Sequence, residues 1–208
     1  MISTILDAAR AQQKNILILG SPRSGTHALG REFAWVDSSV DNLGEICVMG
    51  RSSEPHQEIT RLFKTDDLTV AHVVQMLPKF RLALRVDQIK RHAVVVCLRR
   101  KNKIKQFASS YYSKHLHKGK WHNVTEEHFQ AKIGQIEASE QDIMQFIQEQ
   151  IIDDFFLPDF NLCYENIKFQ QTKINQNCYP FEIEKIFSNI EYIKSVLNQW
   201  TYCEEHLQ

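Results

Sequence analysis

The sequence predicts an α/β protein with a central, mainly parallel sheet flanked by helices in three layers. Two continuous apolar runs, residues 16–19 and 93–98, are typical of strands buried on both faces of a parallel sheet. Helix-compatible segments follow both runs, at residues 27–35 and 102–115, and this alternation favours right-handed βαβ crossovers. We expect a single domain over residues 1–208, because this length suits one well-cored α/β domain.

Periodicity and composition indicate the remaining elements. Residues 68–76 have helical spacing, whereas residues 44–49 and 80–86 are compatible with short strands. We expect one long helix over residues 126–150, a strand at 160–164 and a closing helix at 180–197.

The most informative segment reads Asn-Ile-Leu-Ile-Leu-Gly-Ser-Pro-Arg-Ser-Gly-Thr and ends at Thr26. It places a short strand, a tight loop and a helix start in direct succession, so backbone N–H groups can converge on a phosphate or sulfate. Gly20 and Gly25 permit a sharp turn and a close approach to the ligand. Ser24 and Thr26 supply hydroxyl groups, and Arg23 supplies a cationic fork. The segment therefore predicts an anion-binding cradle.

This loop is P-loop-like but lacks two residues that a nucleotide triphosphatase uses to bind phosphate and Mg²⁺. Gly20 and Gly25 have the separation found in G-x-x-x-x-G-K-S/T, but Thr26 and His27 stand where Lys and Ser/Thr belong. The lysine that reaches the outer phosphates and the usual Mg²⁺ hydroxyl are both missing from their places. This pattern indicates a nucleotide handled without Mg²⁺-assisted chemistry, and we expect no metal.

A second cationic segment follows the second buried run. Arg99, Arg100 and Lys101 stand at the carboxyl end of that strand, where ligands of open α/β sheets bind. Ser109 or Ser110 lies two helical turns later, on the same helix face as the loop. Two anion sites on neighbouring strands suit a ligand with two separated phosphates.

Both segments resemble the sulfotransferases. Pro22-Arg23-Ser24-Gly25-Thr26 is similar to their 5′-phosphosulfate loop, Pro-Arg/Lys-Ser-Gly-Thr/Ser. The doubled Arg, Asn and Lys followed by Gln-x-x-Ser is closest to bacterial carbohydrate sulfotransferases, although Lys101 rather than an Arg stands eight positions before Ser109. The resemblance implies a cytoplasmic sulfotransferase that uses 3′-phosphoadenosine 5′-phosphosulfate and releases 3′,5′-adenosine bisphosphate. It implies donor contacts from Ser21, Pro22, Arg23, Ser24, Gly25, Thr26, His27, Arg99, Arg100, Lys101 and Ser109.

The resemblance also implies catalytic and acceptor residues. In one branch of the family a Glu after a Gly is the base, and Glu45 follows Gly44 at the matching place. Glu45 and Arg23 are thus the expected catalytic residues, and Tyr112, Trp121 and His122 are expected to contact the acceptor. That acceptor would be a small molecule or carbohydrate with a hydroxyl or amine. Two alternatives stay open: a P-loop nucleoside or small-molecule kinase, and a catalytically degenerate nucleotide-binding module.

Composition narrows the class of partner. The chain has 25 Lys and Arg residues and 25 Asp and Glu residues, so its net charge says nothing about its partners; we expect a small-molecule or carbohydrate partner and no nucleic acid. The five cysteines include no C-x-x-C pair and fit a reducing cytoplasm. No stretch is apolar enough for a signal peptide or a membrane span, so we expect no membrane partner. Nothing in the sequence indicates an oligomeric state.

Overall fold

The computed structural model describes residues 1–46, 67–74, 86–116, 130–150, 157–170 and 182–206, without the side chains of 86–88 and 201–206. The strands are β1 (Asn15–Gly20), β2 (Asp41–Glu45), β3 (Thr69–Val74), β4 (Ala93–Arg99) and β5 (Phe160–Cys163). The helices are α1 (Ile2–Ala11), α2 (Thr26–Val36), α3 (Val86–His92), α4 (Lys103–Tyr111), α5 (Glu140–Gln150) and α6 (Ile190–His206). Shorter turns are a π-helical turn, Tyr112–Leu116, and two 3₁₀ turns, Tyr164–Asn166 and Ile183–Ile186.

The strands form one five-stranded sheet in the order β2-β3-β1-β4-β5. Every pairing between neighbours is parallel, and helices flank the sheet. This architecture confirms the predicted α/β class with a central parallel sheet. β1 lies at the centre, and all its residues are buried because β3 and β4 cover its edges and side chains cover its faces.

The structure confirms the predictions for β1, α2, β4, α4 and β5 but changes other boundaries. The helix predicted over residues 68–76 is wrong in its described part: β3 occupies Thr69–Val74 and pairs with β1. A short apolar strand buried on both faces shows no alternation, so its spacing resembles that of a helix. β2 begins at Asp41, earlier than the predicted strand, because its polar residues are held by pairing with β3 rather than by propensity. Residues 75–85, including most of the predicted strand at 80–86, lie outside the described residues.

In its described part, the long helix predicted over residues 126–150 is confirmed only over Glu140–Gln150. Residues 131–134 form a turn, and α5 begins only at Glu140. Ser139 caps α5, since its hydroxyl accepts the Asp142 N–H at 3.2 Å and Asp142 Oδ2 accepts the Ser139 N–H at 3.1 Å. The closing helix, α6, likewise starts at Ile190 rather than at residue 180.

Contacts divide the chain into two compact units. Unit 1 comprises Met1–Lys101 and Ile152–Gln171 and contains the whole sheet. Unit 2 comprises Asn102–Ile151 and Thr172–Gln208 and contains α4, α5 and α6. That the two units constitute a single domain stays a prediction.

Each unit has its own apolar core. In unit 1, Ile16 and Ile18 of β1 share a fully buried cluster with Phe33 of α2. Burying a side chain of this size contributes about 1.5–3 kcal/mol, so these contacts fix α2 and its first turn against β1. In unit 2, the Phe107 ring stacks on the Phe187 ring with centroids 5.4 Å apart.

Candidate functional site

The cradle, residues 21–26, follows β1 at the centre of the sheet. The chain leaves β1 through α2 toward β2, beyond β3, whereas it leaves β4 toward β5 on the opposite side. β1 and β4 are neighbours, and Gly20 pairs with Leu98 near their carboxyl ends. In open parallel sheets, ligands bind in the crevice outside two strands whose connections diverge in this way. The fold therefore places the cradle and the residues after β4 where such sheets bind ligands.

The backbone of the cradle forms a tight turn. The Ser24 N–H donates to the Ser21 carbonyl oxygen at 3.1 Å. Arg23 and Gly25 have φ values of 64° and 102°, in the left-handed region that a residue with a side chain adopts at a cost of about 1–3 kcal/mol. α2 begins at Thr26, and the N–H groups of its first turn have no acceptor within the helix. These groups and the positive end of the helix dipole can bind an anion.

Ser24 lies inside this turn. A Cβ on Gly20 would lie 2.4 Å from Ser24 Oγ and 2.6 Å from Thr26 Cγ2, so both side chains fold back over the end of β1. Ser24 is 0% exposed, and its hydroxyl makes no hydrogen bond within the described part of the chain. Leaving a buried hydroxyl unsatisfied costs about 1–3 kcal/mol. A ligand oxygen in the cradle would supply the missing partner.

Tyr164 and Glu165, which follow β5 and are called the β5 clamp below, hold the cradle from one side. A Cβ on Gly25 would lie 2.4 Å from two carbons of the Tyr164 ring. The Arg100 guanidinium lies 5.2 Å from the centroid of that ring, and Arg100 Nε lies 3.6 Å from Glu165 Oε1. The clamp therefore touches the cradle and the first residues after β4 at once.

The residues after β4 are tied to the cradle by Arg100. Its Nη1 donates to the Arg23 carbonyl oxygen at 3.2 Å, which bridges the two cationic segments that the sequence singled out. The Lys101 N–H donates to Glu165 Oε2 at 2.9 Å, which fixes the direction of the chain as it leaves β4. Arg99 is the last residue of β4 and is half-buried. The structure thus brings Arg100 to the cradle, and its expected role in anion binding stays a prediction.

Glu45, the expected base, lies at the carboxyl end of β2. The register of β2 with β3 shifts between Asn42 and Gly44, and this irregularity brings Glu45 opposite His72. Glu45 Oε2 lies 3.2 Å from Nε2 of His27, in the first turn of α2 directly after the cradle. The structure therefore places the expected base beside the cradle and gives it a hydrogen-bond partner.

His72 is the buried neighbour of this pair. Its side chain belongs to β3 and is 1% exposed, and its ring packs edge-on against the His27 ring with centroids 4.2 Å apart. Burial, together with the nearby charges of His27 and Arg31, lowers the pKa of His72 to about 3. His72 is therefore neutral at ordinary pH, with a lone pair on one ring nitrogen.

The remaining expected residues belong to unit 2 or lie outside the described residues. Ser109 in α4 and Tyr112 after it belong to unit 2 and are 4% and 3% exposed. Tyr112 is part of the apolar core of that unit. Trp121 and His122 lie outside the described residues. The roles expected for these four residues stay predictions.

Three residues of the site were not among the expected site residues. Tyr164 and Glu165 carried a visible signal, because Tyr164-Glu165-Asn166-Ile167 resembles a segment that ends a late strand in many sulfotransferases. No sequence feature pointed to His72, because its strand was assigned as a helix and its partners are far away in sequence. Only the pairing of β2 with β3 brings it to Glu45.

Comparison with known proteins adds no assignment. The chain matches no protein-family model, and searches of curated proteins and of solved structures find no significant match. Among the described residues, no helix combines the length and apolarity needed to cross a bilayer.

Proposed function

We propose that this protein is a sulfotransferase. It would move a sulfuryl group from 3′-phosphoadenosine 5′-phosphosulfate to a hydroxyl or amine of a small molecule or carbohydrate. The cradle would hold the 5′-phosphosulfate. The cations after β4 would face the 3′-phosphate, with Ser109 as the further contact that the resemblance implies.

The buried Ser24 hydroxyl carries the proposal. The hydroxyl is buried in the turn next to Gly20 and makes no hydrogen bond within the described chain. This is expected of a group whose hydrogen-bond partner is a ligand oxygen. The Arg23 side chain and the first amides of α2 belong to the same turn. Since the cradle has no lysine at the P-loop position, an anion bound without Mg²⁺ fits it better than a nucleoside triphosphate.

The reaction would need positioning and charge stabilisation more than covalent help, by analogy with phosphoryl transfer. The acceptor oxygen would bond to sulfur while the bond from sulfur to the 5′-phosphate oxygen breaks, leaving its electron pair on that oxygen. The cradle amides, Ser24 and Arg23 would stabilise the growing negative charge. Arg100 bonds to the Arg23 carbonyl and would hold the cradle in this geometry.

Glu45 would take the proton of the acceptor. Its carboxylate is within 3.2 Å of His27 Nε2 and at the edge of the cradle, so an acceptor held there would lie near the sulfuryl group. General-base catalysis of this kind contributes about 10²- to 10⁴-fold to rate. His27 would orient the carboxylate.

Calorimetric titration with 3′,5′-adenosine bisphosphate, in chelator and without Mg²⁺, tests the binding step. We expect tight binding by the wild type and loss of at least about 1.5–3 kcal/mol, more than tenfold in Kd, in Arg23→Ala. Arg10→Ala is the matched control, because Arg10 lies in the last turn of α1, before β1 and at the opposite end of that strand from the cradle, and pairs there with Asp37. If the protein binds Mg-ATP more tightly than the bisphosphate, the proposal of a sulfotransferase is wrong and a kinase is favoured. Binding of neither nucleotide would also overturn the proposal.

Turnover is then tested with the donor and a panel of hydroxyl and amine acceptors. We expect release of 3′,5′-adenosine bisphosphate with some acceptor and a fall in kcat of about 10²-fold or more in Glu45→Gln. Bisphosphate binding without turnover of any acceptor would indicate a degenerate nucleotide-binding module.

A further inference from the structure

His72 has an environment that the proposed transfer does not explain. Both ring nitrogens are buried, and neither makes a hydrogen bond within the described part of the chain. Buried polar side chains in native proteins nearly always have a partner. The side chain is 1% exposed and packs against His27, so its unsatisfied nitrogens lie next to a second imidazole.

The surrounding groups form a possible set of metal ligands. One ligand atom each from His27, Glu45 and His72 lies within 4.8 Å of the other two, and His27 Nε2 is already 3.2 Å from Glu45 Oε2. Ligands about 2.0–2.1 Å from a tetrahedral Zn²⁺ lie roughly 3.3 Å from one another. The His27 side chain is 63% exposed and can move the short remaining distance.

Three different elements present these ligands. His72 comes from β3, Glu45 comes from the neighbouring strand β2 at the paired position, and His27 comes from the first turn of α2. His72 is held in place by its strand and by α2 above it, since its Nδ1 lies 3.6 Å from where a Cβ on Gly30 would be. A rigid buried ligand with two more accessible ones gives a site that a metal can enter from solvent. Arg31 is a nearby cation whose charge acts on His72.

We propose that His27, Glu45 and His72 bind a divalent transition-metal ion, for which Zn²⁺ is the best match. Two imidazoles and one carboxylate are a ligand set that Zn²⁺ accepts, and they leave a fourth position for water or for an oxygen or nitrogen of a small ligand. From the sequence we expected no metal, because the loop lacks the Lys and the Mg²⁺ hydroxyl of a P-loop; the set of His27, Glu45 and His72 departs from that expectation. The proposal does not rest on sulfuryl transfer.

Metal binding would also bear on the proposed reaction. A metal ion on Glu45 engages the lone pairs that the base would use, so Zn²⁺ would inhibit a sulfotransferase that depends on Glu45. The same three residues would then couple the availability of a metal to turnover.

Cobalt titration of the full chain, stripped with chelator and free of any affinity tag, tests the site. We expect one Co²⁺ per chain, with the intense visible bands of four-coordinate Co²⁺, and displacement of Co²⁺ by Zn²⁺. His27→Ala should weaken Zn²⁺ binding by about 100-fold or more, since even the loss of a residue that only supports a ligand costs 10- to 100-fold. Glu45→Gln should act in the same direction.

Two controls keep the result decisive. His115→Ala removes a half-exposed histidine of unit 2 that faces Asp142, and it should leave the Kd and the bands unchanged. His27 is exposed, so His27→Ala tests the site even if a substitution at His72 prevents folding. Absence of four-coordinate bands, or equal affinity of wild type, His27→Ala and Glu45→Gln, would overturn the proposal as adventitious binding only. No nucleotide enters this titration, so its failure would leave the sulfotransferase proposal standing, and the reverse also holds.

Discussion

Replacing Gly25 with alanine should destabilise unit 1 by about 2–6 kcal/mol. The left-handed backbone at φ 102° costs a residue with a side chain about 1–3 kcal/mol. The added Cβ would lie 2.4 Å from two ring carbons of Tyr164, and overpacking of this kind costs about 1–3 kcal/mol more. Because the ring also contacts Arg100, its displacement would disturb the cradle, and bisphosphate affinity should fall together with stability.

Two other glycines separate the contributions. Gly134 has φ 65° and nothing within 4 Å of an added Cβ, so Gly134→Ala should show the backbone cost alone. Gly20 has no positive φ, but its Cβ would overlap Ser24 and Thr26, so Gly20→Ala should show mainly the steric cost. Free energies of unfolding from urea titration of the three variants provide the comparison.

A double-mutant cycle tests the steric contribution directly. In the Gly25→Ala background, Tyr164→Ala removes the ring that the new Cβ meets, so the double variant should be about 1–3 kcal/mol more stable than the sum of the single changes predicts. The backbone cost should remain. Two results would refute the contact between the β5 clamp and the cradle: a Gly25→Ala variant at least as stable as Gly134→Ala, or a cycle without coupling.

Three further predictions concern the same region. Ser24→Ala should keep or raise the free energy of unfolding, because it removes an unsatisfied buried hydroxyl, while bisphosphate affinity in calorimetry falls roughly tenfold or more. Arg23→Gly should be about 1 kcal/mol more stable than Arg23→Ala in urea, because glycine relieves the φ of 64°, although both lose bisphosphate binding. In chelator, stability should be fully present above pH 6.5 and fall as pH falls from 6.5 toward 3, since His72 with its pKa of about 3 stays neutral in the folded state while the unfolded state takes up the proton. His72→Gln should remove that part of the slope, which is at most about 1.4 kcal/mol per pH unit.

Matched changes away from the site check these predictions. Gln13 has φ 53° and lies between α1 and β1, so Gln13→Gly should show the same stability gain over Gln13→Ala without any change in bisphosphate binding. A Ser24→Ala variant that loses stability but binds the bisphosphate normally would contradict the idea that the hydroxyl waits for a ligand.

The sequence predicts those parts of the fold and site that depend on neighbouring residues. β1 and β4 are continuous apolar runs, and a strand, a glycine-containing turn and a helix start follow one another directly at Gly20 and Gly25. The class of fold and the cradle follow from these local signals. Glu45 Oε2 lies 3.2 Å from Nε2 of His27, the residue after the cradle, and its role as a base stays a prediction.

The rest depends on pairings between distant segments. β2 is polar, and it forms a strand only because β3 provides its hydrogen bonds. The shift in register near Gly44 decides which residue stands opposite His72, and no local pattern encodes that shift. The contact of Tyr164 with Gly25 likewise joins residues from the two separate sequence segments of unit 1.

The division of unit 1 in sequence has a consequence for synthesis. β1 and β4 and the loops after them leave the ribosome within Met1–Lys101, whereas β5 and its clamp arrive only after the whole of Asn102–Ile151 has been made. Until then the first four strands of the nascent chain can pair with one another. Tyr164 is not yet present to cover Gly25, and Glu165 is not yet present to form its ion pair with Arg100. The affinity for an anion should therefore appear late during translation, when β5 joins the sheet and brings Tyr164 and Glu165 to the cradle.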